Sequence, residues 1–167
     1  AQSKFNEVFH PDKPDPMIYD APLTAFGESQ AIRARENFAK LDISRVIVSP
    51  FTRTLQTASL IFGDDYPFNI EAGVREQLSN SCDVGSHPEM LARSYPHLDF
   101  SALDEIWWHQ GENDERGICP EPHEILVARS AKFFDQLEIT PGQNLAIVTH
   151  GNFIHAQTDI HPENCDF

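Results

Sequence analysis

The sequence predicts an α/β protein of three layers, in which a mostly parallel sheet lies between helices. Two short apolar runs, residues 46–48 and 145–149, have the length and composition of buried strands. Each run is followed by a segment of helical periodicity, and further helical segments precede them. This alternation of helices and strands is typical of a parallel sheet with helices on both faces.

The first half of the chain is expected to contain two helices and two strands. Residues 1–23 are predicted to form a long loop, because four prolines interrupt regular structure there. Thr24 is expected to cap a helix over residues 28–41. The strand at 46–48 then leads into a helix over 54–62, which Gly63 ends, and residues 68–71 form a short strand.

Residues 73–122 are the least regular part of the chain, and we interpret them as a cap-like insertion over the sheet edge. A short helix is predicted over residues 88–94. The segment Trp107-Trp108-His109 could contact a substrate, although packing is the commoner use of such large side chains.

The last third of the chain is predicted to form a helix over 122–138, a strand over 145–149 and a helix over 152–158. The apolar spacing of the long helix indicates an inward face of four residues, namely Val127, Ala131, Phe134 and Leu137. With 167 residues, the chain is expected to form a single domain over its whole length, 1–167.

The composition argues against several kinds of partner. The chain has 26 acidic and 12 basic residues, a net charge of −14, whereas nucleic acids and anionic membranes are bound by clustered lysine and arginine. No apolar run reaches the roughly 20 residues that span a bilayer, and no secretory signal is visible. A cytoplasmic protein is expected, and its oligomeric state is left open.

Neither a metal nor a cofactor is predicted. Cys82, Cys119 and Cys165 match no zinc spacing and no disulfide framework, so reduced thiols are expected. His155 and His161 follow His150 closely, but they lack the cysteine or carboxylate partners of a metal site.

Two predicted strands each end in a residue suited to anion binding. His150 follows the strand at 145–149, and Arg53 follows the strand at 46–48. Because the carboxyl ends of parallel strands meet at one edge of the sheet, the two side chains are expected to converge. An arginine and a histidine together favour a phosphate group, even within an acidic protein.

Four motifs resemble, in order, those of the histidine phosphatase superfamily, which includes phosphoglycerate-mutase-like enzymes. The most specific is the run Ser49-Pro50-Phe51-Thr52-Arg53-Thr54-Leu55-Gln56-Thr57-Ala58. The others are Pro22-Leu23-Thr24 with Gly27 and Gln30-Ala31, then Val74-Arg75-Glu76, then Val148-Thr149-His150-Gly151-Asn152-Phe153.

Residues 1–6 (AQSKFN) resemble the first motif of that family from its third position onward. By this resemblance, an arginine and the nucleophilic histidine would lie immediately before Ala1, together with the first strand of the sheet. A fragment of a longer protein is therefore expected. The end of the chain, Cys165-Asp166-Phe167, is interpreted in the same way.

The resemblance implies a two-step phosphoryl transfer through a phosphohistidine. Arg53 would bind the phosphate with a bidentate guanidinium, and His150, as an imidazolium, would donate another hydrogen bond. Asn6 and Gly151 would help to hold the phosphate. Glu76 would protonate the leaving alkoxide and then activate water.

Each of these residues also has a structural interpretation. Arg53 could be a surface helix residue, His150 a strand-end histidine, and Asn6 a turn residue. Arg75 is assigned a structural role rather than a catalytic one.

Two other residues compete for catalytic roles. Asp83, in the run Ser81-Cys82-Asp83-Val84-Gly85, is a second candidate for the proton donor. His10 is rejected as a substitute nucleophile, because it lies in a proline-flanked loop with no strand before it.

The expected function is hydrolysis of a small phosphorylated substrate, a phosphomonoester whose identity the sequence does not specify. The insertion after Glu76 is short, which favours a phosphatase over the alternative, a phosphoglycerate-mutase-type phosphotransferase. A third hypothesis is an inactive phosphate-binding module. The chain itself is expected to be inactive, because its nucleophile would precede Ala1.

Overall fold

Three parallel strands form the central sheet in the part of the chain described by the computed structural model, residues 1–165. They are β1 (Ile43–Val48), β2 (Phe68–Ile70) and β3 (Asn144–Val148). β1 lies in the centre, in the spatial order β2-β1-β3, and pairs in parallel with both neighbours. The predicted α/β fold is confirmed, and both pairings among these three strands are parallel.

The helices lie before, between and after these strands. They are α1 (Lys4–Val8), α2 (Ala25–Phe38), α3 (Thr52–Phe62), α4 (Pro88–Ser94), α5 (His123–Gln136) and α6 (Gly151–Thr158), with short 3₁₀ turns at Ala72–Val74 and Ser81–Asp83. The predictions for α3, α4 and α6 agree with these bounds to within two residues. Gly63 ends α3 with a φ of 90°, a conformation that favours glycine.

Both faces of the sheet are covered, as the sequence predicted. Val46 and Val48 point to one face, where they pack in a cluster with Leu55 of α3. Ile47 points to the other face and packs with Leu126 of α5 and Phe153 of α6. The alternation along β1 follows from the two-residue period of a strand.

The amino-terminal segment differs from the predicted loop, because it contains the short helix α1. Ser3 caps this helix through a capping box with Asn6, and Phe5 is buried against Phe9. The following helix, α2, begins at Ala25 rather than at residue 28. Thr24 caps it directly by accepting a hydrogen bond from the backbone N–H of Gly27 at 2.9 Å.

The predicted inward face of α5 is confirmed at Leu137, which packs against the cluster of Leu126 and Phe153, but is wrong by about one residue at Val127 and Phe134. Val127 and Phe134 are 37% and 40% exposed, whereas Leu126 and Ser130 are buried. The helix carries adjacent apolar residues at 125–127 and at 133–134. Its apolar stripe is therefore broad, and only the packing partners decide which edge of the stripe turns inward.

The predicted insertion contributes directly to the core. Leu91 of α4, Phe100 and Trp107 belong to the same cluster as Val46 and Phe51. The Trp107 ring packs edge-on against Phe51 at 4.8 Å between centroids, and its indole N–H donates to Ser86 O. These contacts support the packing interpretation of Trp107.

In the described residues, no helix combines the length and the apolar character that a membrane span requires.

Candidate active site

A cavity of about 330 Å³ lies at the carboxyl ends of β1 and β3. All the site residues named from the sequence line it: Asn6, Arg53, Glu76, His150 and Gly151. Ala1 lines the same cavity. The fold therefore brings together residues that are up to 145 positions apart, as the convergence of parallel strand ends predicts.

Arg53 reaches the cavity from the first turn of α3. Its Nη1 donates to Cys82 O at 2.8 Å, and its Nη2 donates to Asp83 Oδ1 at 3.0 Å. The guanidinium also lies over the Phe51 ring, with Cζ 4.3 Å from the centroid. A guanidinium has five N–H donors, so these bonds orient it while donors stay available for an anion.

His150 is a buried residue that follows β3 and directly precedes α6. Its Nε2 lies 2.8 Å from Ser49 Oγ, and its ring meets Phe51 edge-on at 5.3 Å. Burial, with the Arg53 charge adding to it, lowers the pKa of His150 well below its usual value. This shift favours the neutral imidazole over the expected imidazolium.

Glu76 follows the 3₁₀ turn at Ala72–Val74. Its Oε1 accepts from the backbone N–H of Gln77 at 2.8 Å, and its carboxylate also accepts from the backbone N–H of Asn152. Burial raises the pKa of Glu76 to about 7, with the neighbouring Asp83 charge adding to the rise and Arg53 opposing it. A carboxyl group with this pKa can exchange a proton near neutral pH.

Asp83, the other candidate proton donor, is occupied by other contacts. Its Oδ1 accepts from Arg53, and its Oδ2 accepts from the backbone N–H groups of Ser79 and Asn80 at 3.2 and 3.1 Å. Asp83 is not among the residues that line the cavity. Its position is that of a group that orients Arg53.

An ionic network holds the segment that carries Glu76. Glu121, whose side chain is fully buried, accepts from Arg75 Nη2 at 2.9 Å and from Arg129 Nε and Nη2 at 3.0 and 2.8 Å. Arg129 also donates to the carbonyl oxygens of Gly73 and Arg75. The structural role expected for Arg75 agrees with these contacts.

Sequence reasoning missed Glu121 and Arg129. The one available signal was the position of Arg129, which is three residues after Leu126 on the inward face of α5. Because the predicted face of α5 was partly wrong, this arginine was assigned to no role.

Asn6 and Gly151 line the cavity from two helix starts. The Asn6 Oδ1 accepts from the Ser3 backbone N–H at 3.4 Å within the capping box of α1. Gly151 is the first residue of α6, and outside its own helix and chain neighbours no atom lies within 4 Å of the position that a Cβ would take. The start of α6 is therefore open to the cavity.

The other histidines lie elsewhere. His10 is exposed, 3.7 Å from Asp12 Oδ2, and does not line the cavity. The rings of His155 and His161 stack with centroids 3.8 Å apart. Within residues 1–165, no group of three or more His, Cys, Asp or Glu side chains could hold a metal ion.

An arginine, a histidine and a protonatable carboxyl thus meet at the strand ends of an α/β fold, an arrangement that is suited to binding an anion. A family model, the histidine phosphatase superfamily (branch 1), matches residues 18–160. The chain belongs to this superfamily.

A curated plant protein is similar to most of the chain. The chain is 30% identical over 188 residues to phosphoglycerate mutase-like protein 1 of Arabidopsis thaliana. The match covers 87% of this chain and 64% of that protein, so the chain spans less than two thirds of its relative's length.

Solved structures show the same fold. YhfR of Bacillus stearothermophilus matches 95% of this chain and 74% of its own, with a TM-score of 0.63 at 18% identity. A phosphoserine phosphatase of Entamoeba histolytica, solved in complex with 3-phosphoglyceric acid, matches 93% of this chain and 72% of its own. Its TM-score is 0.54 at 16% identity.

Proposed function

We propose that this chain carries most of the active site of a phosphomonoester hydrolase that works through a phosphohistidine. The observation that carries the proposal is the convergence of Arg53, Glu76 and His150 on one cavity. These residues supply an anion-binding guanidinium, a carboxyl group that exchanges protons near pH 7, and an imidazole.

Each side chain has a distinct task in this mechanism. Arg53, already oriented by Cys82 and Asp83, binds the equatorial oxygens of the phosphate. A bound phosphate dianion favours the charged form of His150, which then donates a hydrogen bond to it. Asn6 and the start of α6 at Gly151 complete the oxyanion site.

Glu76 transfers the protons. In its protonated form it donates to the alkoxide that leaves when the nucleophile attacks phosphorus. In its ionised form it then takes a proton from the water that hydrolyses the phosphohistidine. A pKa of about 7 makes both forms accessible at neutral pH.

We assign the nucleophile to a histidine located immediately before Ala1 in the whole protein. Among the described residues that line the cavity, His150 is the one histidine, and its ring is held by Ser49. Ala1 lines the cavity beside Arg53, so a residue joined to it would reach the same space. Within residues 1–165, β3 forms one edge of the sheet beside an apolar groove of about 340 Å³, which could accommodate a further strand.

The names of the relatives support phosphate chemistry, but they do not distinguish hydrolysis from mutase-type phosphotransfer. Their names include a phosphoglycerate mutase-like protein and a phosphoserine phosphatase. We favour the phosphatase, because residues 77–122 form only a short insertion.

The decisive test compares this chain with a form that includes the preceding native residues, using p-nitrophenyl phosphate and phosphate release. The longer form is expected to turn over, and Arg53→Ala or His150→Ala should each reduce kcat/KM by about 100-fold or more. Arg93→Ala, an exposed arginine of α4, is the control and should retain full activity. Full activity in either site variant would overturn the assignment.

The same assay separates the alternatives. Turnover by residues 1–167 alone, abolished by His10→Ala, would overturn the proposed nucleophile. Isomerised phosphoglycerate in place of released phosphate would identify a mutase. Phosphate binding without turnover by the longer form would identify an inactive binding module.

A further inference from the structure

A second cavity, of about 500 Å³, lies on the α5 side of the sheet. Ile47 of β1 and Asn69 of β2 form its floor, and Lys132 and Phe133 of α5 form its wall. It shares no lining residue with the cavity that contains Arg53 and His150.

Positive charge is concentrated around this cavity. Four of the 12 basic residues of the chain line it, namely Arg45, Arg75, Arg129 and Lys132. The acidic residues are Glu71 and Glu138 in the lining and Glu121 behind it. The cavity is therefore electropositive in a chain whose net charge is −14.

Three of the four cations have hydrogen-bond donors to spare. The Arg75 Nε is buried and has no hydrogen-bond partner within residues 1–165. Arg45 makes one bond, to Glu138 O at 3.4 Å, and the exposed Lys132 ammonium makes none among the described residues. Arg129, by contrast, is fully engaged by Glu121 and by backbone carbonyls.

The pKa of Arg75 also reflects the excess of positive charge around this cavity. Burial lowers the pKa of Arg75 to about 10, and the neighbouring Arg129 charge lowers it further than Glu121 can offset. An anion in the cavity would relieve this repulsion.

We propose that this cavity is a second anion site, which binds the phosphate group of a small molecule through Arg45, Arg75 and Lys132. A planar carboxylate pairs well with a single guanidinium. Three cationic groups on different elements suit the several oxygens of a tetrahedral group better. Ile47, Phe133 and Leu137 offer an apolar wall to the organic part of the ligand.

This second site does not depend on the proposed hydrolysis. Its test uses the Arg53→Ala variant of residues 1–167, in which anion binding at the first cavity is weakened. Inorganic phosphate is titrated at constant ionic strength, and backbone amide shifts are followed by NMR. Saturable shifts are expected at Ile47, Gly73 and Phe133. These shifts should persist in the Arg53→Ala variant, whereas the phosphate-dependent shifts near Gly151 should be lost.

Two variants of accessible residues identify the donors. Lys132→Gln and Arg45→Gln should each weaken phosphate binding about fivefold, as expected for the loss of one ionic contact near 1 kcal/mol. Lys40→Gln, an exposed lysine that does not line the cavity, is the matched control and should leave the affinity unchanged.

Three results would overturn the proposal. They are shifts that do not saturate, shifts confined to the first cavity, and equal weakening by Lys40→Gln and Lys132→Gln. Binding of acetate as tightly as phosphate would refute the tetrahedral assignment.

Discussion

Arg53 and Glu76 reach the same cavity, but the fold holds them there by different means. Arg53 belongs to a continuous strand, turn and helix, in which Val48, Phe51 and Leu55 are buried in one apolar cluster. Glu76 belongs to an irregular segment that is tied to α5 by the Glu121 network.

The difference shows two ways of positioning a reactive side chain. Apolar packing near Arg53 is spread over many contacts, so each buried residue contributes only part of the stabilisation of this segment. The network near Glu76 places two guanidiniums on one buried carboxylate. Removing one partner there leaves buried charges unpaired, which costs more than the lost contact itself.

Glu121→Ala should therefore give the largest loss of stability, about 3–5 kcal/mol, because Arg75 and Arg129 stay buried without their carboxylate. The free energy of unfolding is measured by urea denaturation. Glu124→Ala, at an exposed position of α5, should change it by less than about 0.5 kcal/mol. A loss below about 1 kcal/mol for Glu121→Ala would contradict the role of the network.

Leu55→Ala should cost about 2–4 kcal/mol, because it empties a fully buried position beside β1. Leu55→Ala should leave the pKa of Glu76 near 7. Glu121→Ala should shift this pKa, because Glu121 helps to hold the segment that carries Glu76. A carbon-13 NMR titration of the Glu76 carboxyl measures both. Equal shifts in the two variants would show that the regions are not held independently.

Glu76→Gln should flatten the dependence of stability on pH. The folded chain raises the Glu76 pKa from 4.5 to about 7, so between these values it binds more protons than the unfolded chain. This contribution to stability is complete below pH 4.5 and is lost as pH rises to 7 and above.

Between pH 5 and pH 8, the free energy of unfolding of the native chain should therefore fall by about 2 kcal/mol relative to that of Glu76→Gln. This figure is smaller than the full pKa shift would give, because Glu76 is only partly shielded from solvent. Glu124→Gln is the control, and urea denaturation at the two pH values is the measurement. A constant difference between Glu76→Gln and the native chain would disprove the raised pKa.

Ser49→Ala should have the smallest effect, about 1 kcal/mol, because it removes one buried hydrogen bond to His150 Nε2. The nitrogen-15 resonance of this Nε2 should also move, since the hydroxyl helps to select the tautomer of a neutral imidazole. Ser101→Ala, at an exposed position, is the control. An unchanged Nε2 resonance in Ser49→Ala would contradict the hydrogen bond.

Much of the fold followed from local patterns. Thr24 marked the start of α2, Gly63 marked the end of α3, and short apolar runs marked β1 and β3. The errors occurred where the local signal was ambiguous or weak. The adjacent apolar residues of α5 allowed two inward faces, and α1 is a single capped turn within a proline-rich segment.

The sequence by itself determined the strand-to-helix units and the residues at their ends, including Arg53 and His150. It could do so because periodicity, caps and breakers act over a few neighbouring residues. Only the tertiary structure decided that Asp83 orients Arg53, that Glu121 and Arg129 hold the Glu76 segment, and that burial lowers the pKa of His150. These properties depend on burial and on charges brought together from distant segments, which no local pattern records.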